Sequence, residues 1–325
     1  MTKKLDECQV VGIIGIAKNT GKTTTLNWLI KKHLHETIGL TSIGLDGEKM
    51  DQIHFLPKPR IVVHQGMIVA TAKSCLDEST IDYDLIEKTN LFTSIGEILI
   101  VRIKNEGFLV IAGPTTNREL SMVLKTMKQY ASKILIDGAL NRMTFSHIDE
   151  IDGLVLATGA SVSPIMEETV ERTKRIVDLF HLNKTSDYII KKQFKILIIT
   201  NCGEFYFEDK KISPIETILN DRELEIQRII IKGAITESLI DALIQSRNRN
   251  YELVGEDPSR FIFQLNKLKY LDYLGVNMTV EKQSKLILLT INPYRPTHQS
   301  YDSNTFMKAL KDKINMKIID VMREE

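Results

Sequence analysis

The chain has 325 residues, of which 43% are hydrophobic and 26% charged, and its net charge is +1 at neutral pH. This composition is typical of a soluble globular protein with a core of ordinary size, in one large domain or two moderate ones. The balanced charge argues against a nucleic-acid partner, although a local basic patch stays open. No apolar run reaches the roughly 18 residues of a membrane span, so we expect no membrane partner.

The cysteine content indicates a reducing environment. Cys8, Cys75 and Cys202 are far apart, so they form neither a metal-ligand spacing nor a disulfide framework. The N-terminal ten residues contain no apolar segment of secretory length. We therefore predict a cytoplasmic protein.

The first predicted elements are a strand over residues 10–14 and a helix whose apolar residues recur at helical spacing as far as Leu34. His33 and His35 are two positions apart in this helix, which predicts that they lie on different faces and that neither has a functional role. A second strand, "TSIGLD", ends at Asp46.

A β-rich stretch follows. Residues 60–71 and 97–113 each contain two apolar runs around a short turn with a glycine, so both are predicted to be β-hairpins. Thr116 lies three residues before Glu119, which is a capping-box spacing, and the helix it opens runs to about Tyr130. The apolar strand "KILID" then ends at Asp137.

The second half continues the alternation of strands and helices. Strands are predicted at residues 154–157, 195–200, 228–231 and 286–291, and helices after Ser163-Pro164, Ser213-Pro214 and Asp257-Pro258. The pattern predicts an α/β fold with a mostly parallel sheet, β-hairpin insertions and an α/β C-terminal half. We place a nucleotide-binding domain at residues 1–150 and a second domain at residues 151–325, with one continuous sheet as the alternative.

The stretch "GIAKNTGKTT" between the first strand and its helix is typical of a phosphate-binding loop, or P-loop. Backbone N–H groups at a helix N-terminus bind phosphate, a lysine adds charge, and a following Ser or Thr ligates Mg²⁺. The predicted nucleotide-binding residues are Gly15, Lys18, Asn19, Thr20, Gly21, Lys22, Thr23 and Thr24. Lys22 is assigned to the β- and γ-phosphates and Thr23 to Mg²⁺. A Gly-Lys-Thr helix start without a ligand is the alternative.

The loop departs from the usual pattern at one position. The first glycine normally stands five residues before the second, where this chain has Ile16, and the glycine lies one position earlier, at Gly15. The path of residues 16–20 is therefore open. Lys18 is also one position away from the lysine that some dimeric ATPases extend to a partner's nucleotide, and a solvated loop lysine is the alternative.

An acidic side chain beside the metal is expected in such a site. Asp137 ends a buried strand, as a Walker B aspartate does, and is assigned to Mg²⁺ and catalysis, with an aspartate that only caps a turn with Gly138 as the alternative. Asp46 is a second catalytic candidate, either as a Mg²⁺ ligand through water or as the group that orients the attacking water, and Glu48 is a weaker one. A plain loop carboxylate is the alternative for both. The predicted cofactors are ATP and Mg²⁺, and the predicted chemistry is phosphoryl transfer to water. The motif does not discriminate ATP from GTP.

Further polar residues follow other strands and are expected at the same edge of the sheet. Asn141 and Arg142 come after "LIDGAL", where an arginine could respond to hydrolysis or simply lie on the surface. The segments "AGPTTNRE" (112–119), "GAS" (159–161) and "NPYRP" (292–296) are predicted to line a pocket or a partner surface, with ordinary turn chemistry as the alternative.

Two resemblances arise at these residues. "KNTGKTT" resembles the P-loop of the molybdopterin-guanine dinucleotide adaptor proteins over about the first 50 residues. The wider series "GIAKNTGKTTTLN", "TSIGLDGE", "LVIAGPTT", "LIDGALNR", "LATGAS" and "INPYRP" resembles the P-loop subunit of the lysine 5,6-aminomutase reactivase. This second resemblance extends over almost the whole chain.

The reactivase resemblance implies an ATP-dependent chaperone of lysine fermentation. Such a chaperone releases damaged cobalamin from the adenosylcobalamin-dependent lysine 5,6-aminomutase. The implied partners are this aminomutase and a second, mismatch-repair-like ATPase subunit. Two other functions stay open from the residues themselves: a nucleotide-binding adaptor or regulatory protein with little turnover, and a small-molecule kinase.

Overall fold

The structure, a computed structural model, describes residues 5–44, 61–138, 148–188, 192–210, 212–283, 285–295 and 300–324. The site candidates Asp46, Glu48, Asn141 and Arg142 lie outside the described residues. The chain forms two compact units, one of residues 1–174 with 285–325 and the other of residues 175–284.

The strands of the first unit, labelled in chain order along the whole protein, are short and mostly buried. They are β1 (Val10–Gly15), β2 (Ile38–Ser42), β3 (Ile61–Val63), β4 (Ile68–Ala72), β5 (Tyr83–Thr93), β6 (Gly96–Ile103), β7 (Gly107–Leu109), β8 (Lys133–Asp137), β9 (Gly153–Gly159), β18 (Leu286–Asn292) and β19 (Ile318–Asp320). Its helices are α1 (Lys22–Lys32), α2 (Lys73–Asp77), α3 (Asn117–Met127) and α8 (Ser303–Lys311). Helix α4 (Met166–Phe180) begins in this unit and ends in the second.

Nine strands of the described chain form one sheet in the order β19-β18-β9-β1-β8-β2-β4-β6-β5. The strands from β19 to β4 are parallel, and β6 is antiparallel to β4 and β5. Every residue of β1 is buried, as expected for a parallel strand that is covered on both faces. The predicted α/β class with a mostly parallel sheet is confirmed.

Helix α1 covers one face of this sheet because its apolar residues recur every three or four positions. Leu26, Leu29 and Ile30 are buried in one core cluster with Val11 of β1 and Leu40 of β2. This packing fixes the direction in which the chain leaves β1. It therefore also fixes where the N-terminus of α1 lies relative to the strand ends.

The two predicted β-hairpins do not form. The strands β3 and β4 were expected to pair with each other, as were β6 and β7, but β3 pairs with β7 and β4 pairs with β6. The hairpin that does form joins β5 to β6, and β5 was missed. Glycine turns mark where the chain changes direction but do not choose the partner strand, which is set by the sheet that the strand joins.

Two local predictions, one at α1 and one at β2, differ from the structure. Helix α1 ends at Lys32, with His33 as its C-terminal cap, and residues 33–35 form turns. The expectation that His33 and His35 lie on different helix faces is wrong, since their ring centroids are 6.1 Å apart. The strand predicted to end at Asp46 ends at Ser42 instead.

The predicted division near residue 150 does not coincide with the two units. Strand β9 pairs with β1, and β18 pairs with β9, so segments from both halves of the sequence build the nine-stranded sheet. The second unit, residues 175–284, is inserted in the sequence between β9 and β18. The predicted strands over 154–157 and 286–291 are present with slightly longer bounds.

The second unit is built around a six-stranded sheet of order β10-β17-β15-β13-β11-β12. Its strands are β10 (Asn183–Lys184), β11 (Ile196–Thr200), β12 (Glu204–Phe207), β13 (Ile226–Ile231), β14 (Ile235–Thr236), β15 (Glu252–Gly255), β16 (Phe261–Ile262) and β17 (Asn277–Val280). Its helices are α5 (Ile212–Asn220), α6 (Glu237–Gln245) and α7 (Leu268–Tyr273). The helix predicted after Asp257-Pro258 is a single 3₁₀ turn, with Asp257 as its cap.

An ion pair in this second sheet stabilises the ionised form of Glu252. Arg228 lies 2.5 Å from the Glu252 carboxylate, which also accepts hydrogen bonds from Thr185 (2.8 Å) and Thr279 (2.7 Å). Burial favours the neutral acid, but the hydrogen bonds from Thr279 and Thr185 and the guanidinium of Arg228 outweigh it. They hold the pKa of Glu252 below its usual range.

Across the described residues, the helices are too short or too polar to cross a membrane.

Candidate functional site

The loop between β1 and α1, residues 16–21, lies where the order of strands in the large sheet reverses. β1 has β8 on one side and β9 on the other. On one side of β1, the chain passes through α1 to β2, which lies beyond β8 in the sheet. On the other side, the chain passes from β9 to β18, which lies beyond β9. Ligands of open α/β sheets bind in the crevice at the carboxyl ends of strands at such a reversal. The β1–α1 loop is therefore placed at a favourable binding position.

Beyond the end of β1, the chain continues the hydrogen bonding of the sheet for one residue. The Ile16 N–H donates to the Ala157 carbonyl at 3.0 Å, which extends the pairing of β1 and β9 by one residue. Thr20 is buried, and its hydroxyl donates to the Ala17 carbonyl at 3.0 Å. Lys18 and Asn19 are exposed at the tip of the loop. Residue 16 is thus part of the strand end, which accounts for an apolar isoleucine at this position.

Two side chains from neighbouring strand ends hold the tip of the loop. Asn19 has a φ of 61°, in the left-handed region. Its carbonyl accepts hydrogen bonds from the Ser161 hydroxyl at 2.7 Å and from Asn292 Nδ2 at 3.2 Å. Asn292 Oδ1 also accepts from the Tyr294 N–H at 3.1 Å. The loop conformation is therefore supported from outside the loop as well as from within it.

The N-terminus of α1 presents backbone donors at this point. Gly21 precedes the helix with a φ of 88°, a conformation that glycine adopts without a steric penalty. The first intrahelical bond runs from the Thr25 N–H to the Gly21 carbonyl at 2.8 Å. The N–H groups of residues 22–24 precede that bond, so the helix gives them no acceptor. The first turn of α1 contains no acidic residue, and such a terminus favours anions.

Lys22 runs back from the helix across the end of β1. A Cβ atom placed on Gly15 would lie 2.7 Å from Lys22 Cγ and 2.9 Å from Lys22 Cδ. The lysine stem therefore occupies the space that a side chain at position 15 would take. Gly15 does not stand at the usual position of the first loop glycine, but it provides the room that Lys22 uses.

Asp137 lies at the end of the strand next to β1. Its register partners are Ile13 on β1 and Ser42 on β2, and its carbonyl accepts from the Ile43 N–H at 3.1 Å. The side chain is half-buried at the same edge of the sheet as the β1–α1 loop. The sheet thus brings Asp137 and the loop to neighbouring strand ends.

The segment after β7 has a structural role in the described chain. Thr116 and Glu119 form the predicted capping box of α3, and the Glu119 carboxylate also accepts from the Thr115 hydroxyl at 3.4 Å. The Gly113 N–H donates to the Ser42 hydroxyl at 2.8 Å. For "AGPTTNRE", ordinary turn and capping chemistry accounts for both threonines.

The second unit has a separate surface groove of about 500 Å³ between β12 and α5. It is lined by the aromatic side chains Phe205, Tyr206 and Phe207 together with Ile218 and polar neighbours. The groove contains none of the predicted site residues. We therefore place the candidate functional site at the β1–α1 loop, where several independent features converge.

Comparison of the chain with known protein families, curated proteins and solved structures finds no match. The description of the site therefore depends on its motif and its geometry. Sequence reasoning placed Ser161 and Asn292 on strand-end loops but missed that both hold the Asn19 carbonyl. In the sequence, the signal for these two contacts was a polar side chain at the end of a strand. Such side chains are too common to identify a contact.

Proposed function

We propose that the β1–α1 loop is a P-loop that binds a nucleoside triphosphate with Mg²⁺, and that the chain is an ATPase. The observation that carries this proposal is the path of Lys22 over Gly15 at a helix terminus whose first N–H groups have no intrahelical acceptor. The N–H groups of residues 22–24 would donate to phosphate oxygens, and the Lys22 ammonium would add its charge there.

The residues present also fit a divalent cation. Thr23 is half-exposed in the first turn of α1, and Asp137 ends the neighbouring strand. A hydroxyl and a carboxylate are the oxygen ligands that Mg²⁺ takes in such sites, where it neutralises charge on the phosphates. Catalysis would then come mainly from the positions that Lys22 and the backbone N–H groups impose on the phosphates.

Hydrolysis in support of a partner enzyme is the form of activity we propose. The series of six motifs that resembles the lysine 5,6-aminomutase reactivase supports an ATP-dependent chaperone that releases damaged cobalamin from this aminomutase. A second, mismatch-repair-like ATPase subunit is the proposed partner.

The test measures binding and turnover in the same proteins. Calorimetry with Mg·ATP and Mg·GTP on the full chain is compared with Lys22→Ala and Thr23→Ala. Lys31→Ala serves as the matched control, because Lys31 is exposed at the other end of α1. Loss of charge-assisted hydrogen bonds worth about 1.5–3 kcal/mol corresponds to roughly 10- to 150-fold weaker binding in Lys22→Ala.

ATP turnover is then measured with and without lysine 5,6-aminomutase loaded with inactive cobalamin. Stimulated turnover and cobalamin release that both disappear in Lys22→Ala support the chaperone. Tight binding without turnover under any of these conditions favours the adaptor instead, and a phosphorylated small molecule favours a kinase. If neither nucleotide binds at millimolar concentration, the P-loop proposal is abandoned.

A further inference from the structure

We infer that His33, His35 and Glu36 form a Zn²⁺ site at the C-terminal end of α1. These residues belong to the first unit and lie at the opposite end of α1 from the β1–α1 loop, about 16 Å away along the helix axis. The inference does not depend on the proposed nucleotide site. It depends on how the chain leaves the helix.

The end of α1 brings the three side chains together. The helix ends at Lys32, and the Glu36 N–H donates to the His33 carbonyl at 2.8 Å to close a turn. In a continued helix, positions 33 and 35 would point in nearly opposite directions. The turn instead places the two imidazole rings with their centroids 6.1 Å apart and their planes at 32°.

The potential ligand atoms are close enough for one ion. Among the described residues, one ligand atom each from His33, His35 and Glu36 lies within 4.8 Å of the other two. His33 Nδ1 is 2.7 Å, and His35 Nε2 3.7 Å, from Glu36 Oε1. Tetrahedral Zn²⁺ with bonds of about 2.1 Å needs ligand atoms about 3.4 Å apart. The two distances to Glu36 Oε1 are within about 0.7 Å of this value, and the separations within the cluster exceed it by at most about 1.4 Å, which side-chain rotations can close.

The surroundings orient two of the proposed ligands. The His33 side chain is 3% exposed, and its Nε2 atom has no hydrogen-bond partner among the described residues. Asp6 Oδ1, which also lies 3.6 Å from Lys32 Nζ, is 3.9 Å from this nitrogen. Histidines that bind a metal through one nitrogen direct the other N–H to a carboxylate, and a metal on Nδ1 would leave Nε2–H facing Asp6. The Ser132 hydroxyl donates to Glu36 Oε2 at 3.5 Å.

The ligand set and the location favour zinc. Two imidazoles and one carboxylate form a known zinc ligand set that leaves a fourth position for water. The His35 side chain is 74% exposed, so the ion would reach the site directly from solvent. The partial negative charge at the C-terminus of α1 also attracts a cation. A bound ion would fasten the end of α1 to the segment that enters β2.

The experiment titrates Zn²⁺ into the full-length, tag-free protein in competition with a chromophoric chelator. We expect one Zn²⁺ per chain and an increase in Tm on binding. His35→Ala and Glu36→Gln should each weaken binding by about tenfold or more and abolish the increase in Tm. His181→Ala is the matched control, because it removes an exposed histidine outside the cluster, and it should bind like the wild type.

A Co²⁺ spectrum distinguishes a zinc site from a hydrogen-bonded pair of side chains. Co²⁺ substituted for Zn²⁺ should give visible absorption bands of a four-coordinate site in the wild type and lose them in His35→Ala. Failure of the wild type to take up one equivalent of Zn²⁺, or unchanged affinity in both ligand variants, leaves a simple hydrogen bond between His33 and Glu36 and overturns the inference. Mg·ATP binding by His35→Ala reports on the nucleotide site separately.

Discussion

Replacing Gly15 with alanine tests the geometry of the candidate site directly. The added Cβ would lie 2.5 Å from Thr20 Oγ1, 2.7 Å from Lys22 Cγ and 2.9 Å from Lys22 Cδ. These separations are well inside the roughly 3.5–4.0 Å at which carbon atoms are in favourable contact. Both groups must shift: the flexible lysine stem can swing away, whereas the buried Thr20 hydroxyl can move only by losing its hydrogen bond to the Ala17 carbonyl.

The expected magnitudes follow from these contacts. Overpacking of this kind costs about 1–3 kcal/mol of folding free energy, and losing the Thr20 hydrogen bond would add about 0.5–1.5 kcal/mol. Displacing Lys22 from the phosphates would weaken Mg·ATP binding by roughly 10- to 150-fold. Urea unfolding measures the first effect and calorimetry the second.

A double-mutant cycle with Lys22→Ala identifies the cause of the weaker binding. If alanine at position 15 acts by displacing the lysine, it should reduce affinity much less in the Lys22→Ala background than in the wild type. Gly15→Ala protein that binds Mg·ATP as tightly as the wild type would refute this account of the loop. Equal losses in both backgrounds would show that the alanine acts through another group.

Three further predictions concern other contacts. Asn292→Ala removes one of two hydrogen bonds to the Asn19 carbonyl, worth about 1 kcal/mol, so calorimetry should find Mg·ATP binding about fivefold weaker; an unchanged Kd contradicts this role. The lowered pKa of Glu252 contributes stability that is present above its unfolded pKa of about 4.3 and is lost as pH falls through the folded value. Urea unfolding between pH 6 and pH 3 should therefore show a weaker dependence of the unfolding free energy on pH in Glu252→Gln than in the wild type. If the unfolding free energies of the two proteins change in parallel with pH, this prediction is wrong. Gly113→Ala places a Cβ 1.9 Å from the Ser42 carbonyl oxygen and should lower the unfolding free energy by roughly 3 kcal/mol or more, with a near-native Tm as the contrary result.

Several features of this protein could be predicted because their causes lie within a few residues of each other. The capping box of Thr116 and Glu119 starts α3 as expected, and the apolar run before Asp137 forms a buried strand. The alternation of such segments was sufficient for the α/β class and the mostly parallel sheet. The position of the loop between β1 and α1 follows from the same local signals.

Strand pairing could not be predicted in the same way. The segments around residues 64–66 and 105–107 were predicted to be hairpins, but the strands on either side of each turn pair with other strands. An apolar run of five residues, such as β4, can be buried equally well beside several partners. The partner is chosen by the nine-stranded sheet as a whole, which also placed β9 and β18 beside β1.

The sequence by itself therefore determined the fold class, the loop between β1 and α1 and the strand that carries Asp137, because periodicity, caps and glycine conformations act locally. Tertiary structure alone decided which side chains meet. Asn19 is held by Ser161, 142 positions away, and by Asn292, 273 positions away. Even the approach of His33 to His35 depended on where packing ends α1. Contacts of this kind arise when distant strand ends are brought to one edge of a sheet, and no short-range pattern encodes that distance.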